Sequence, residues 1–224
     1  LMVFNENNTF ENSNDDNVKR LDDNVGSGNL ASKTVLSMVE DLDGEIWIGT
    51  DKGISVFYCP EKIFTKEGCD AQPITIEQDG HAQHLLEFEI VTTIAVDGAN
   101  RKWIGTMNGG VYLMSADGQK QIQHFTEENS PLYSNSITNI CVNNNTGEVF
   151  IGTNRGLLSY RSDAILGKET NDTLLVFPNP YHTNTNSNIS ISGLVNNSNI
   201  KITDISGNLV FETISLGGQA NWNG

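Results

Sequence analysis

The chain has 224 residues, 37% of them hydrophobic, with 28 Asp and Glu against 13 Lys and Arg for a formal net charge of −15. This is length enough for one or two domains with a core, and a charge that repels phosphate backbones and argues against nucleic acid as a partner. No run of about 18 apolar residues and no long helical periodicity occurs, so no helix is expected to span a membrane.

In chain order, Leu1-Met-Val-Phe4 is a short apolar strand. Val35-Leu-Ser-Met-Val-Glu-Asp41 reads as an alternating inner strand, Asp41-Leu-Asp-Gly44 as a turn and Glu45-Ile-Trp-Ile-Gly49 as the next strand. Thr50-Asp-Lys-Gly53 is a second hairpin turn, and Ile54-Ser-Val-Phe-Tyr58 a third strand. Gly44 stands where the first turn asks for a positive φ. A fourth strand falls in the less regular stretch that follows.

The same order returns twice. Val91-Thr-Thr-Ile-Ala-Val-Asp97 precedes Arg101-Lys-Trp-Ile-Gly-Thr-Met-Asn-Gly109, and Ile137-Thr-Asn-Ile-Cys-Val-Asn143 precedes Glu148-Val-Phe-Ile-Gly-Thr-Asn-Arg-Gly156. Strand-rich repeats of about 45 to 55 residues are the signature of propeller blades. The fold expected is therefore all-β, with β-propeller blades over 1–160 forming part of a ring. Leu1–Phe4 then reads as the last strand of a preceding blade, and the chain as a fragment of a longer protein. Three blades leave two sheet faces open, so the fragment alone is expected to aggregate or oligomerise.

Trp47, Trp103 and Phe150 share one repeat position, as do Gly49, Gly105 and Gly152. The aromatics could stack sugars or bases, but inter-blade core is the favoured reading. The glycines mark close strand approach rather than a phosphate cradle. These six are structural repeat positions; no catalytic, cofactor-binding, metal-binding or ligand-binding residue is assigned. The repeats are unequal, with 56 residues from Trp47 to Trp103 and 47 from Trp103 to Phe150. The extra length sits in the polar insertion Glu77–His84. Such insertions map to surface loops, often on a binding face, although neutral drift is favoured here.

Chemistry-bearing patterns are weak. Asp41-Leu-Asp-Gly-Glu45 faintly resembles a calcium loop but lacks its ligand spacing, so a hairpin turn is favoured. Of His81, His84, His124 and His182, the first two lie close, yet no carboxylate or thiolate at metal spacing completes a zinc shell. There is no Gly-x-Ser-x-Gly elbow, and no enzyme is assigned. Cys59 and Cys69 flank one insertion and can be bridged, but the unbridged state is favoured. Cys141 alternates in phase with Ile137 and is expected to be buried.

Residues 161–173 lack the repeat pattern and read as a linker. Leu174-Leu-Val-Phe-Pro-Asn-Pro-Tyr181, Ile189-Ser-Ile-Ser-Gly193, Ile200-Lys-Ile-Thr-Asp-Ile205 and Leu209-Val-Phe-Glu-Thr213 are short strands with tight turns. They suggest an incomplete immunoglobulin-like β-sandwich over 174–224, since about 50 residues cannot close one.

Two resemblances follow from these motifs. Val35–Tyr58, Val91–Leu113 and Ile137–Tyr160 resemble the two-component regulator propeller repeat, with Phe150 replacing Trp and one residue inserted before Gly147 in the third copy. Phe177-Pro-Asn-Pro180, Ile200–Val210 and Gly217-Gly-Gln-Ala-Asn-Trp-Asn-Gly224 resemble the C-terminal sorting domain of type IX secretion. Their combination resembles the PorZ-like proteins of that system. The resemblance implies a non-enzymatic component of an attachment complex, at the cell surface in association with the outer membrane. The implied partners are a sortase and outer-membrane proteins, with anionic lipopolysaccharide as a candidate ligand and no cofactor. Arg101, Lys102, Lys120 and Arg155 are the scarce cations for such an anion, although ordinary solvated side chains are the favoured reading. The alternatives are a secreted cargo with a ligand-binding or carbohydrate-binding propeller, and a periplasmic sensor propeller of a two-component system.

Overall fold

The chain is described by a computed structural model that covers residues 1–9, 11–78, 81–171, 173–182 and 188–223, with backbone alone for Gln78 and His81. Among these residues the only helical segment is a single 3-10 turn, Pro60–Lys62, and no helix is long and apolar enough to cross a membrane.

The strands run in chain order. A two-stranded ribbon, β1 (Met2–Asn5) and β2 (Asn17–Arg20), comes first. The first repeat is the antiparallel sheet β3 (Val35–Glu40), β4 (Ile46–Thr50), β5 (Gly53–Phe57) and β6 (Gln72–Pro73). The insertion is a separate hairpin, β7 (Thr75–Gln78) with β8 (His81–His84); Asp79 and Gly80 lie outside the described residues. The second repeat is β9 (Val91–Val96), β10 (Lys102–Thr106), β11 (Val111–Met114) and β12 (Gln121–Phe125), in that order across the sheet. The third is β13 (Ile137–Asn143), β14 (Glu148–Thr153) and β15 (Gly156–Arg161).

These are meandering antiparallel sheets stacked face to face, as blades are. The inner strands β3, β9 and β13 lie side by side. One core forms between the first two blades, around Trp47, Ile54, Val56, Val91, Ile94 and Ile104, and a second between the next two, around Trp103, Val111, Ile137, Ile140 and Val149. A third core joins β1–β2 to the first blade through Leu21, Ile48, Phe57 and Cys69.

Each inner strand carries a bulge at its second residue: Leu36, Thr92 and Thr138. A bulge adds one unpaired residue and resets the alternation of faces. The expectation for Cys141 fails for this reason. Ile137 points into the core, but after Thr138 the inward positions are Ile140 and Val142, and Cys141 is exposed. The expectation for Cys59 and Cys69 also fails, because they form a disulfide. The 59–71 loop folds back through the 3-10 turn and buries Cys69 and Ala71 against Leu21 and Phe57, which brings the two sulfurs together.

The remaining strands are β16 (Leu175–Phe177), β17 (Ile189–Ser192), β18 (Asn199–Thr203), β19 (Leu209–Ile214) and β20 (Gln219–Trp222). They form two sheets, β16-β17-β20 and β18-β19, over a small core of Ile191, Leu194 and Ala220. Phe211 and Trp222 stack at 6.0 Å between ring centroids. The all-β expectation is borne out, with blades followed by two small sheets packed as a sandwich.

Candidate functional site

The repeated positions build the seams between blades. In the first repeat the turn residue Asp41 accepts the backbone N–H groups of Asp43 and Glu45 on Oδ1, each at 3.0 Å. That is an ordinary Asx-type hairpin turn, with Gly44 at φ 81. Its other oxygen, Oδ2, accepts the Trp47 indole N–H at 3.1 Å and the Lys102 ammonium at 2.8 Å. Lys102 comes from the second blade. Its Nζ also donates to the carbonyls of Asn100 and Ala116 and lies 4.5 Å from the centroid of a Trp47 ring. Neither side chain of the pair touches solvent. A buried charge is tolerated only when paired and fully hydrogen-bonded, and this one is.

The second repeat reuses the device with one change. Asp97 Oδ1 accepts the N–H groups of Ala99 and Arg101, and Oδ2 accepts the Trp103 indole at 3.1 Å. The cation is now Arg101, whose Nε donates to Asp97 Oδ2 at 2.8 Å, while its Nη2 reaches Ser162 and Asp163 at 3.0 and 2.7 Å. In the third repeat Asn143 stands for the Asp and Phe150 for the Trp. In the first two repeats the carboxylate satisfies an indole N–H that would otherwise be buried without a partner, whereas Asn143 and Phe150 are both exposed.

Burial pushes the Asp41 carboxyl upward, but the hydrogen bonds from Lys102 and from the Glu45 N–H outweigh it and hold its pKa below the usual 3.8. Glu45, half-buried beside Asp41, is pushed up by desolvation and by that neighbouring charge. For Arg101, desolvation is more than offset by Asp97 and Asp163, and its pKa is raised further.

Trp47 and Trp103 are completely buried, and Phe150 is 36% exposed. The reason is position: each Trp faces the blade that follows it, and no described blade covers the Phe150 face. The glycines tell the same story. A Cβ on Gly49 would sit 2.7 Å from Val91 Cγ1, and one on Gly105 2.5 Å from Ile137 Cγ2, both on the next inner strand. A Cβ on Gly152 would meet only its own blade, 3.1 Å from Thr138 Oγ1.

Of the four candidate cations, Arg101 and Lys102 are buried in these seams in ion pairs. Arg155 and Lys120 are exposed, and Arg155 pairs with Glu127 at 3.3 Å. His84 and His124 come from different elements but line one cleft, and His182 lies in the C-terminal part; the His81 side chain lies outside the described residues. Among the described residues no three His, Cys, Asp or Glu side chains are grouped to hold a metal ion.

The same turns also join the blades to the C-terminal sheets. Arg101 holds Ser162 and Asp163, the Ser162 N–H donates to Gly147 O, and the Leu166 N–H donates to Asn144 O. On the far side, Gly218 N–H donates to Ile165 O and Lys168 N–H to Leu194 O. Residues 162–168 are thus a strap between the blade turns and the sandwich. The approach is close: a Cβ on Gly98 would lie 2.0 Å from the Ile165 carbonyl carbon.

Sequence reasoning did not assign the Asp41–Lys102 and Asp97–Arg101 pairs. A signal was present, because Asp precedes Trp by six residues in two repeats while Asn precedes Phe in the third.

Comparison with known proteins bears out the likeness to the sorting domain and to PorZ. Residues 175–223 match the secretion system C-terminal sorting domain family. Among solved structures, the chain is similar to PorZ, an essential surface component of the type IX secretion system of Porphyromonas gingivalis, with TM-score 0.68 and 30% identity over 99% of this chain and 30% of that one. The chain therefore spans less than a third of the length of PorZ. It is also similar to the extracellular domains of BT4673, a one-component system, and BT3049, a hybrid two-component system, of B. thetaiotaomicron. The TM-scores are 0.42 and 0.34, the identities 15% and 20%, over 84% and 87% of this chain and 25% and 34% of theirs. No curated protein matches the chain.

Proposed function

We propose that this chain belongs to a non-enzymatic surface component of type IX secretion that works, as PorZ-like proteins do, in an attachment complex with a sortase and outer-membrane proteins. The observation that carries this reading is one continuous likeness to PorZ, covering 99% of the chain at 30% identity, that takes in both the blades and the sorting-type sheets. On this reading residues 1–160 are the last blades of a propeller, 161–173 the connection and 174–224 part of the sorting-type domain. The Cys59–Cys69 disulfide supports a location outside the cytoplasm, where thiols are oxidised and such bonds persist. The strap supports a fixed mounting of the sorting-type domain on the blades.

Handling of anionic lipopolysaccharide is the finer part of the proposal. With a net charge of −15 and with Arg101 and Lys102 buried in ion pairs, capture of an anion here needs divalent cations or a local cluster of exposed cations, for which Lys120 and Arg155 are the candidates in the second and third repeats.

The experiment is a crosslinked pull-down of the full-length protein from the outer-membrane fraction. Recovery with a sortase and outer-membrane partners, the terminal domain uncut, supports the secretion-component reading. Recovery as a lone surface protein that has lost its terminal domain makes it a secreted cargo. That second reading is favoured by one observation, a ligand-sized cleft between the β7–β8 insertion and the second blade.

A further inference from the structure

The polar insertion builds one wall of a cleft. The β7–β8 hairpin and the loop after it lean over the outer strands of the second blade and enclose about 520 Å³. The loop is held in place, since Gly53 N–H donates to Glu89 O and Glu89 N–H to Leu86 O. Leu86 sits at φ 57, a conformation that a bulky side chain adopts only under constraint. The loop presents Phe88 to solvent with 87% of its surface exposed, although burying a phenyl ring is the ordinary outcome of folding. Opposite lie Tyr112 and His124, stacked at 4.0 Å with 12° between their planes. The His124 ring is fixed by Nε2, 2.6 Å from the Gly109 carbonyl, which makes that nitrogen the donor.

The polar lining has a definite character. Gln119 and Gln121 offer side-chain amides that both donate and accept, as sugar hydroxyls require. Glu77 and Glu87 are the carboxylates of the lining, and among the described residues no Lys or Arg lines the cleft. An anionic ligand meets only like charge there. One exposed phenyl ring in a cleft that also carries side-chain amides suits a ligand that is apolar on its ring faces, hydroxylated at its edges and uncharged.

We propose that this cleft between the β7–β8 insertion and the second blade binds a neutral oligosaccharide, with Phe88 as the stacking platform and Gln119 and Gln121 as hydroxyl partners. The inference rests on the cleft alone and not on the secretion reading, so either can fail without the other.

The test uses the full-length protein and short soluble oligosaccharides of glucose, mannose and galactose, each beside its sulfated counterpart. Binding is followed by saturation-transfer NMR and calorimetry. The expected result is millimolar or tighter binding of at least one neutral series, weakened about tenfold in Phe88→Ala and in Gln121→Ala. Both side chains are exposed, so the variants should keep the unfolding curve of the parent protein, which that measurement checks. Three results overturn the proposal: no transfer from any neutral series, binding unchanged in Phe88→Ala, or tighter binding of a sulfated sugar than of its neutral form.

Discussion

At the scale of single residues, the seams between blades depend on charges removed from water. Lys102 and Asp41 have no solvent contact, so removing one partner leaves the other as an uncompensated buried charge. Lys102→Met should lower unfolding stability by about 3 to 5 kcal/mol, read as a shift in the urea midpoint. The double variant Lys102→Met with Asp41→Asn should be less destabilised than Lys102→Met alone, because no charge is left stranded. The pair also sets an acid limit. The folded pKa of Asp41 lies below its ordinary value of 3.8. Its contribution is therefore present above 3.8 and is lost as the pH falls through the lower folded value. Urea midpoints measured down the acid limb should fall less steeply in Asp41→Asn than in the parent. A pattern of Asp, Gly and Trp was legible in the repeats, but the cation was not. Lys102 contributes to the first seam from 61 positions along the chain, across blades, and no local spacing announces such a contact.

At the scale of elements, two connections hold pieces together. The disulfide closes a ten-residue separation in the loop that supplies Cys69 and Ala71 to the first core. Replacing both cysteines by Ser should cost about 2 to 3 kcal/mol, seen in thermal unfolding with and without reductant. Three Cys in the sequence leave pairing open, and only the fold of the 59–71 loop selects the partner. The second connection is the strap at 162–168. Arg101 is the group that binds it to the second blade, with its side chain 6% exposed. Arg101→Ala should speed tryptic cleavage after Arg161 or Lys168, measured by limited proteolysis and mass spectrometry. Arg101→Lys should recover part of the protection through its charge, but not all, because an ammonium cannot reproduce the forked contact. The repeat strands were legible because alternation and turn glycines are local signals. The bulges at Leu36, Thr92 and Thr138 carry no such local signal, and the one at Thr138 turns Cys141 to solvent where simple alternation from Ile137 points it inward.

At the scale of the whole molecule, the two ends of the blade stack are unequal to its middle. Leu36 and Met38 on the first inner strand are 44% and 58% exposed, and Phe150 and Leu157 on the last blade 36% and 66%. Open apolar sheet faces of this kind favour association. Residues 1–224 expressed alone should elute larger than a monomer in size-exclusion chromatography with light scattering. Leu157→Glu with Phe150→Glu should shift them toward monomer, whereas a sharp monomer with cooperative melting in the parent would count against the blade reading. What the order of residues determined by itself was the all-β class, the blade repeat and the likeness of 175–223 to a sorting domain, since these rest on period, turn chemistry and short motifs. The tertiary structure alone decided which repeat positions are buried, which cations are spent in ion pairs and which loop overhangs a cleft. Burial and pairing depend on what lies across the next seam, and that neighbour is tens of residues away in the chain.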